Sequence, residues 1–149
     1  MLYSAGGEGM SQGSPLLPDV PAEGTGFLDI LAEAPAQLPA WITERDVDVY
    51  AAAFEKSGFF GPVSYYRNMD ANWERSKDLG PSAYTMPVGF LTGSLDAVAT
   101  MLPGAVEAMT ATFPDFRGGT SVEGAGHWVQ QERPEETNAA LLAFLAEVG

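Results

Sequence analysis

From Pro87 to Gly93 the chain reads Pro-Val-Gly-Phe-Leu-Thr-Gly, a short and nearly continuous apolar run. A run of this length without polar alternation suits a strand covered on both faces, the condition of a parallel sheet with helices above and below. The downstream sequence fits that frame. A Gly-Ser-Leu-Asp loop follows, Pro103 opens a helix expected to reach about Phe113, and Gly119 to Glu123 reads as a second short strand. Gly124-Ala125-Gly126-His127 then forms a glycine-rich loop, and Pro134, Glu135 and Glu136 start a last helix. Proline suits the first helical position and carboxylates suit the positive end of the helix dipole. Leu141, Phe144, Leu145 and Val148 form its expected buried stripe. Strand, helix, strand, helix is the rhythm of an α/β fold.

Upstream the texture is different. The run from Gly6 to Gly26 is rich in Gly, Pro, Ser, Asp and Glu and reads as a loop or flexible lead-in. Within its end, Gly26-Phe27-Leu28-Asp29-Ile30-Leu31 is an apolar patch expected to dock, since large side chains gain little by facing water. After Pro39 comes the first clear helix. Thr43 is a good N-cap with Asp46 three residues on, Ile42 and Val47 are spaced for a hydrophobic staple, and Val47, Tyr50, Ala51 and Phe54 recur at helical intervals until Ser57-Gly58. A second helix is expected to open at Pro62, with Tyr66 and Trp73 on one face. The domain reading is therefore a lead-in over residues 1–37, a helical segment over 38–80 and an α/β segment over 81–149.

Composition narrows the chemistry. Twenty acidic against seven basic residues leave a formal charge of −13, which repels phosphate backbones and anionic lipid, so neither nucleic acid nor membrane is an expected partner. With no cysteine and one histidine there is no disulfide, no thiolate nucleophile and no histidine-rich metal site, and no metal or cofactor is expected. Met1 to Met10 lacks a basic region followed by an apolar run, and no stretch approaches the roughly 18 consecutive apolar residues of a membrane helix, so the chain reads as soluble and cytoplasmic.

Asp96 and His127 each lie a few residues past a strand end, where parallel sheets build their sites. Neighbouring strands would let them meet, the acid orienting an imidazole whose ordinary titration range suits proton transfer at neutral pH. By spacing alone, a turn aspartate and a surface or capped histidine fit as well.

A longer pattern carries more. Ser57-Gly58-Phe59-Phe60-Gly61-Pro62-Val63-Ser64-Tyr65-Tyr66-Arg67-Asn68, running on to Trp73, resembles the cap signature S-G-F-R-G-P-L-N-W-Y-R-N of epoxide hydrolases of the α/β-hydrolase fold. Leu38 to Tyr50 resembles that family's approach to the signature. Phe90 to Asp96 resembles the strand ending in the acid, and Gly126 to Pro134 resembles the histidine loop and final helix. The resemblance implies a partial α/β-hydrolase fold, a helical cap segment followed by the last two strand-helix units of a parallel sheet.

It also implies roles. Tyr66 matches a cap tyrosine that hydrogen-bonds the epoxide oxygen, Asp96 matches the orienting acid, and His127 matches the base that activates water against a covalent ester. Trp128 is either a pocket wall or core. Two local departures, Phe60 for arginine and Ser64-Tyr65 for Asn-Trp, leave Tyr66 in place. The larger departure is that no H-G-x-P loop and no G-x-D-x-G elbow occur in the 149 residues, and the family's other cap tyrosine has no counterpart. The expectation is thus a truncated or split epoxide hydrolase, inactive alone, whose complete parent converts an epoxide and water to a vicinal diol through a covalent ester, a separately encoded N-terminal half being one candidate partner. The alternatives are a non-catalytic binding or complementation half-domain, and a haloalkane-dehalogenase-like fragment, which Tyr66 disfavours.

Overall fold

The computed structural model describes residues 5–11, 35–80 and 83–149. The apolar patch from Gly26 to Leu31 lies outside them. Helix α1 (Gly7–Ser11) stands inside the stretch read as a loop. Three helices follow, α2 (Glu44–Ser57), α3 (Phe60–Arg67) and α4 (Met69–Ser76). Next come β1 (Val88–Gly93), α5 (Ala97–Met101), α6 (Ala105–Thr112), β2 (Phe116–Val122), α7 (Val129–Glu132) and α8 (Pro134–Val148).

Helix α2 begins where its capping chemistry dictates. The Asp46 N–H is bound by the Thr43 hydroxyl, while the Thr43 N–H and hydroxyl both donate to the Asp46 carboxylate, closing a reciprocal capping box. Those bonds, the Thr43 hydroxyl's first and its backbone N–H's second, hold the Asp46 carboxyl below the usual carboxylate range. A depressed carboxyl contributes stability that is present above its unfolded pKa and disappears as pH falls through the folded one. Acidification below about pH 4, the ordinary aspartate range, should therefore open the first turn of α2 before the rest. Titration of the Asp46 carboxyl carbon and of the Asp46 and Val47 amides by NMR checks this, and Thr43→Ala should abolish the effect. Gly58 ends α2 with φ +66°, a conformation glycine adopts without strain.

The second helix of the sequence reading is two pieces. It starts two residues before Pro62 and breaks at Asn68, whose φ of −92° and ψ of 3° leave the helical region. The Asn68 side-chain amide donates to the Ser64 carbonyl at 2.8 Å, beside the Asn68 backbone N–H that reaches the same oxygen at 3.1 Å, so the residue closes the last turn of α3 with two bonds.

Strands β1 and β2 pair in parallel, from Val88 opposite Phe116 to Gly93 opposite Val122. Between Val88 and Phe90 the register slips by one, because β2 carries an extra residue near Gly118, which has φ +103°. β2 begins three residues earlier than the sequence suggests. Helix α5 also precedes the helix expected from Pro103. Its cause is Asp96, whose Oδ1 accepts the Val98 N–H at 2.9 Å and so caps a new helix directly after β1. Arg117, bound to Asp115 and to Glu147 at 3.1 Å, ties the start of β2 to the end of α8.

The core is small and its position is informative. Val122, Ala125 and Val129 are buried together with Leu91 packed on them, so the interior lies under the loop after β2. The expected buried stripe of α8 is not buried: Leu141 and Leu145 are each half exposed. Phe144 packs over Gly89, where a Cβ would approach its ring to 3.0 Å. On α2 to α4, Val47 and Tyr50 are also exposed, as is Trp73 at 61%. Amphipathic periodicity marks which face seeks a partner, and among the described residues too little chain exists to cover these faces.

Candidate active site

The carboxyl ends of β1 and β2 carry the two loops of interest. Ser94 N–H donates to the Val122 carbonyl at 2.9 Å, Leu95 N–H to that of Ala125 at 2.9 Å, and Gly124 N–H to the Ser94 hydroxyl at 2.9 Å. These bonds lace the acid loop to the histidine loop. Gly93 makes the closeness possible, because a Cβ there would overlap the carbonyl oxygens of Ala125 and Gly126.

Asp96 and His127 meet. Nδ1 of His127 lies 3.1 Å from Asp96 Oδ1 and 3.2 Å from Oδ2. Oδ2 also accepts from the Thr92 hydroxyl at 3.3 Å, and Oδ1 from Val98 N–H. The carboxylate, its side chain only 13% exposed, is thus fixed by strand, helix and imidazole together. A carboxylate only accepts, so Nδ1 is the donor in this pair, and in the neutral imidazole the lone pair is then on Nε2. The His127 side chain is 43% exposed. Trp128 packs edge-on against His127, ring centroids 5.1 Å apart, with its buried Nε1 unbonded.

Tyr66 is not brought to this pair by any hydrogen bond. Its side chain on α3 is 71% exposed, beside Tyr65 at 81%. A different tyrosine makes the connection, since Gln131 on α7 donates to the Tyr50 hydroxyl and so links α2 to the helix after His127. Among the described residues no cluster of three or more His, Asp or Glu side chains could hold a metal ion. Nor is any of their helices long and apolar enough to cross a membrane.

Sequence reasoning missed Glu132. It is 5% exposed, and its carboxylate takes three backbone N–H groups, Gly7 at 2.7 Å and Gly126 at 3.0 Å on Oε2, and Trp128 at 3.1 Å on Oε1. A glutamate in Gln-Gln-Glu-Arg-Pro looks like a solvated helix face. The available signal was its place a few residues after a glycine loop whose N–H groups no strand or helix satisfies. Gly9-Met10-Ser11-Gln12-Gly13 also has the letters G-x-S-x-G, but Ser11 is the last residue of α1 rather than the tip of a strand-to-helix turn, which that motif requires.

No protein-family model matches the chain. It is 43% identical over 122 residues to epoxide hydrolase A of Mycobacterium tuberculosis, covering 80% of this chain and 36% of the relative. With epoxide hydrolase B of the same organism it shares 41% identity over 124 residues, covering 83% and 35%. Among solved structures, an epoxide hydrolase from an endophytic Streptomyces superposes with a TM-score of 0.73 at 41% identity, over 83% of this chain and 37% of that one. Epoxide hydrolase A from Mycobacterium thermoresistibile gives 0.72 at 42%, over 84% and 38%. The chain spans about a third of the length of the curated relatives it matches. Over about 80% of its length the chain is thus similar to a C-terminal part of epoxide hydrolases, and its parallel strand pair ending in these loops is part of the α/β-hydrolase fold they share.

Proposed function

We propose that this chain supplies the water-activating part of an epoxide hydrolase, acting on an alkyl or aryl epoxide to give a vicinal diol once a segment bearing the nucleophile completes the site. The observation that carries this reading is the Asp96 carboxylate 3.1 Å from His127 Nδ1 at the ends of two parallel strands, in a chain this similar to epoxide hydrolases. In the first half of the reaction a carboxylate from outside these 149 residues attacks an epoxide carbon. The C–O bond of the ring breaks, an ester forms, and Tyr66 donates a hydrogen bond to the developing alkoxide. In the second half, Nε2 of His127 takes a proton from water. The hydroxide adds to the ester carbonyl, the acyl–oxygen bond breaks, and the imidazolium gives its proton to the departing oxygen; the second water proton, released as the new carboxylic acid ionises, neutralises the alkoxide formed at ring opening, leaving diol and restored carboxylate. Asp96 holds the imidazole in the required tautomer and stabilises the imidazolium that forms between the two transfers. Trp128 stands beside the imidazole as a candidate pocket wall.

The proposed role of Tyr66 requires the α2–α4 segment to sit over the paired loops when the site is complete. The Tyr50–Gln131 bond is the tether that supports such a placement.

The test is direct. Purified alone, the chain should convert styrene oxide to its diol no faster than buffer, because its sequence has neither the G-x-D-x-G motif that positions the attacking carboxylate nor the H-G-x-P motif that supplies oxyanion donors. Co-expressed with a family N-terminal segment carrying H-G-x-P, G-x-D-x-G and the other cap tyrosine, it should form diol in a complex that co-purifies. Turnover by the chain alone that depends on His127 would overturn the proposal, as would a stable complex that forms no diol.

A further inference from the structure

We infer that Glu132 is a positioning residue, whose buried carboxylate, together with the segment from Ala5 to Gly7, sets the backbone of the histidine loop and thereby the tautomer and aim of His127. The inference rests on the reading of His127 as the base, but it concerns a group that the reaction itself does not use.

Three successive N–H groups around the imidazole are all taken. Gly126 and Trp128 donate to Glu132, and His127 N–H between them donates to the Ala5 carbonyl at 2.8 Å. With neighbours on both sides bound, the loop has little torsional freedom left at His127, so its Cβ points one way, toward Asp96. Glu132 is itself fixed at the end of α7, its N–H on the Trp128 carbonyl at 2.9 Å. A carboxylate 5% exposed is costly to desolvate, and three N–H donors are the kind of compensation that keeps such a group buried. The site demands an acceptor without donors. An amide of the same shape would turn an NH₂ toward at least one backbone N–H.

The glycines make the cradle specific. A Cβ on Gly126 would stand 2.5 Å from both the Ala5 carbonyl oxygen and the Gly7 nitrogen. One on Gly7 would overlap the Gly124 carbonyl oxygen and approach Glu132 Oε2 to 3.1 Å. The first described residues of the chain therefore pack into the loop rather than passing over it, and two of their backbone groups complete its hydrogen bonding.

The chain has one histidine, so ¹⁵N-labelled imidazole gives a single set of ring signals. At about pH 8.5, well above the ordinary imidazole range, long-range ¹H–¹⁵N spectra of the unaltered chain should show the Nδ1–H tautomer in excess. The Gly7, Gly126 and Trp128 amides should be protected from exchange. In Glu132→Gln the ratio of Nδ1–H to Nε2–H should fall several-fold toward that of an unrestrained imidazole, while protection of the β1 and β2 amides persists. An unchanged ratio in a folded Glu132→Gln chain, or unprotected Gly7, Gly126 and Trp128 amides in the unaltered one, overturns the inference. Where Glu132→Gln fails to fold, Gly7→Ala decides. It should expel only the Ala5–Gly7 contacts and lower the same ratio, and an unchanged ratio there also overturns the inference. The readout is the imidazole itself, so failure of every assembly to hydrolyse an epoxide would remove the proposed function and leave this result standing.

Discussion

Replacing His127 with glutamine in the reassembled enzyme is expected to stop turnover after the ester has formed. Glutamine can still reach Asp96 through its amide, but it has no lone pair of suitable basicity to take a proton from water. Loss of a positioned general base costs about 10²- to 10⁴-fold in rate, and all of that loss falls on the second half of the reaction. Epoxide should be consumed once per site and no further. The adduct should then appear by intact mass spectrometry as epoxide mass added to the segment bearing the nucleophile, not to the 149-residue chain. Sustained diol formation by the His127→Gln assembly, or an adduct on this chain, would show that the ester is broken by some other base or that a carboxylate of this chain attacks.

Gly93→Ala should be the most damaging glycine-to-alanine change among the described residues. The methyl would enter the space held by the Ala125 and Gly126 carbonyls, both backbone atoms, so no side chain can rotate away to admit it. The strand end and the histidine loop must separate, breaking the Leu95–Ala125 and Ser94–Val122 bonds and carrying Asp96 away from His127. Overpacking of this kind costs about 3 kcal/mol, equivalent to a factor of more than 100 in the folded population, and among the described residues only a handful of side chains are buried to offset it. Urea denaturation followed by circular dichroism should show the midpoint falling sharply or no folded baseline at all. Gly61→Ala, where a Cβ meets nothing within 4 Å inside α3, is the control and should leave the midpoint in place or raise it, since alanine favours a helix over glycine.

Local chemistry made much of this protein legible from its residues. The Thr43–Asp46 box, the Gly58 stop, the Pro134 start and the apolar run before Gly93 each act over a few bonds, and the elements they announce stand close to where they were read. Their failures are also local in origin. The sequence placed no helix between Asp96 and Pro103, because the carboxylate that meets the His127 imidazole also caps α5, a double use that the tertiary structure alone makes visible.

Burial was not legible in the same way. Helical spacing says which side chains share a face, as it did for Leu141, Phe144 and Leu145, but whether that face is covered depends on how much other chain is present, and here it is largely open. The same holds for Tyr66, whose place in a motif says nothing about where α3 sits relative to His127.

The sequence by itself therefore determined the capping, the strand-helix alternation and the residue types at the loop tips, since these depend on neighbours in the chain. Only the tertiary structure decided that Asp96 reaches His127 across 31 residues, and that Glu132 gathers N–H groups from Gly7 as well as from its own loop. Contacts of that range depend on the parallel pairing of β1 with β2 and on the glycines that let backbones meet, and no periodicity along a single strand or helix encodes them.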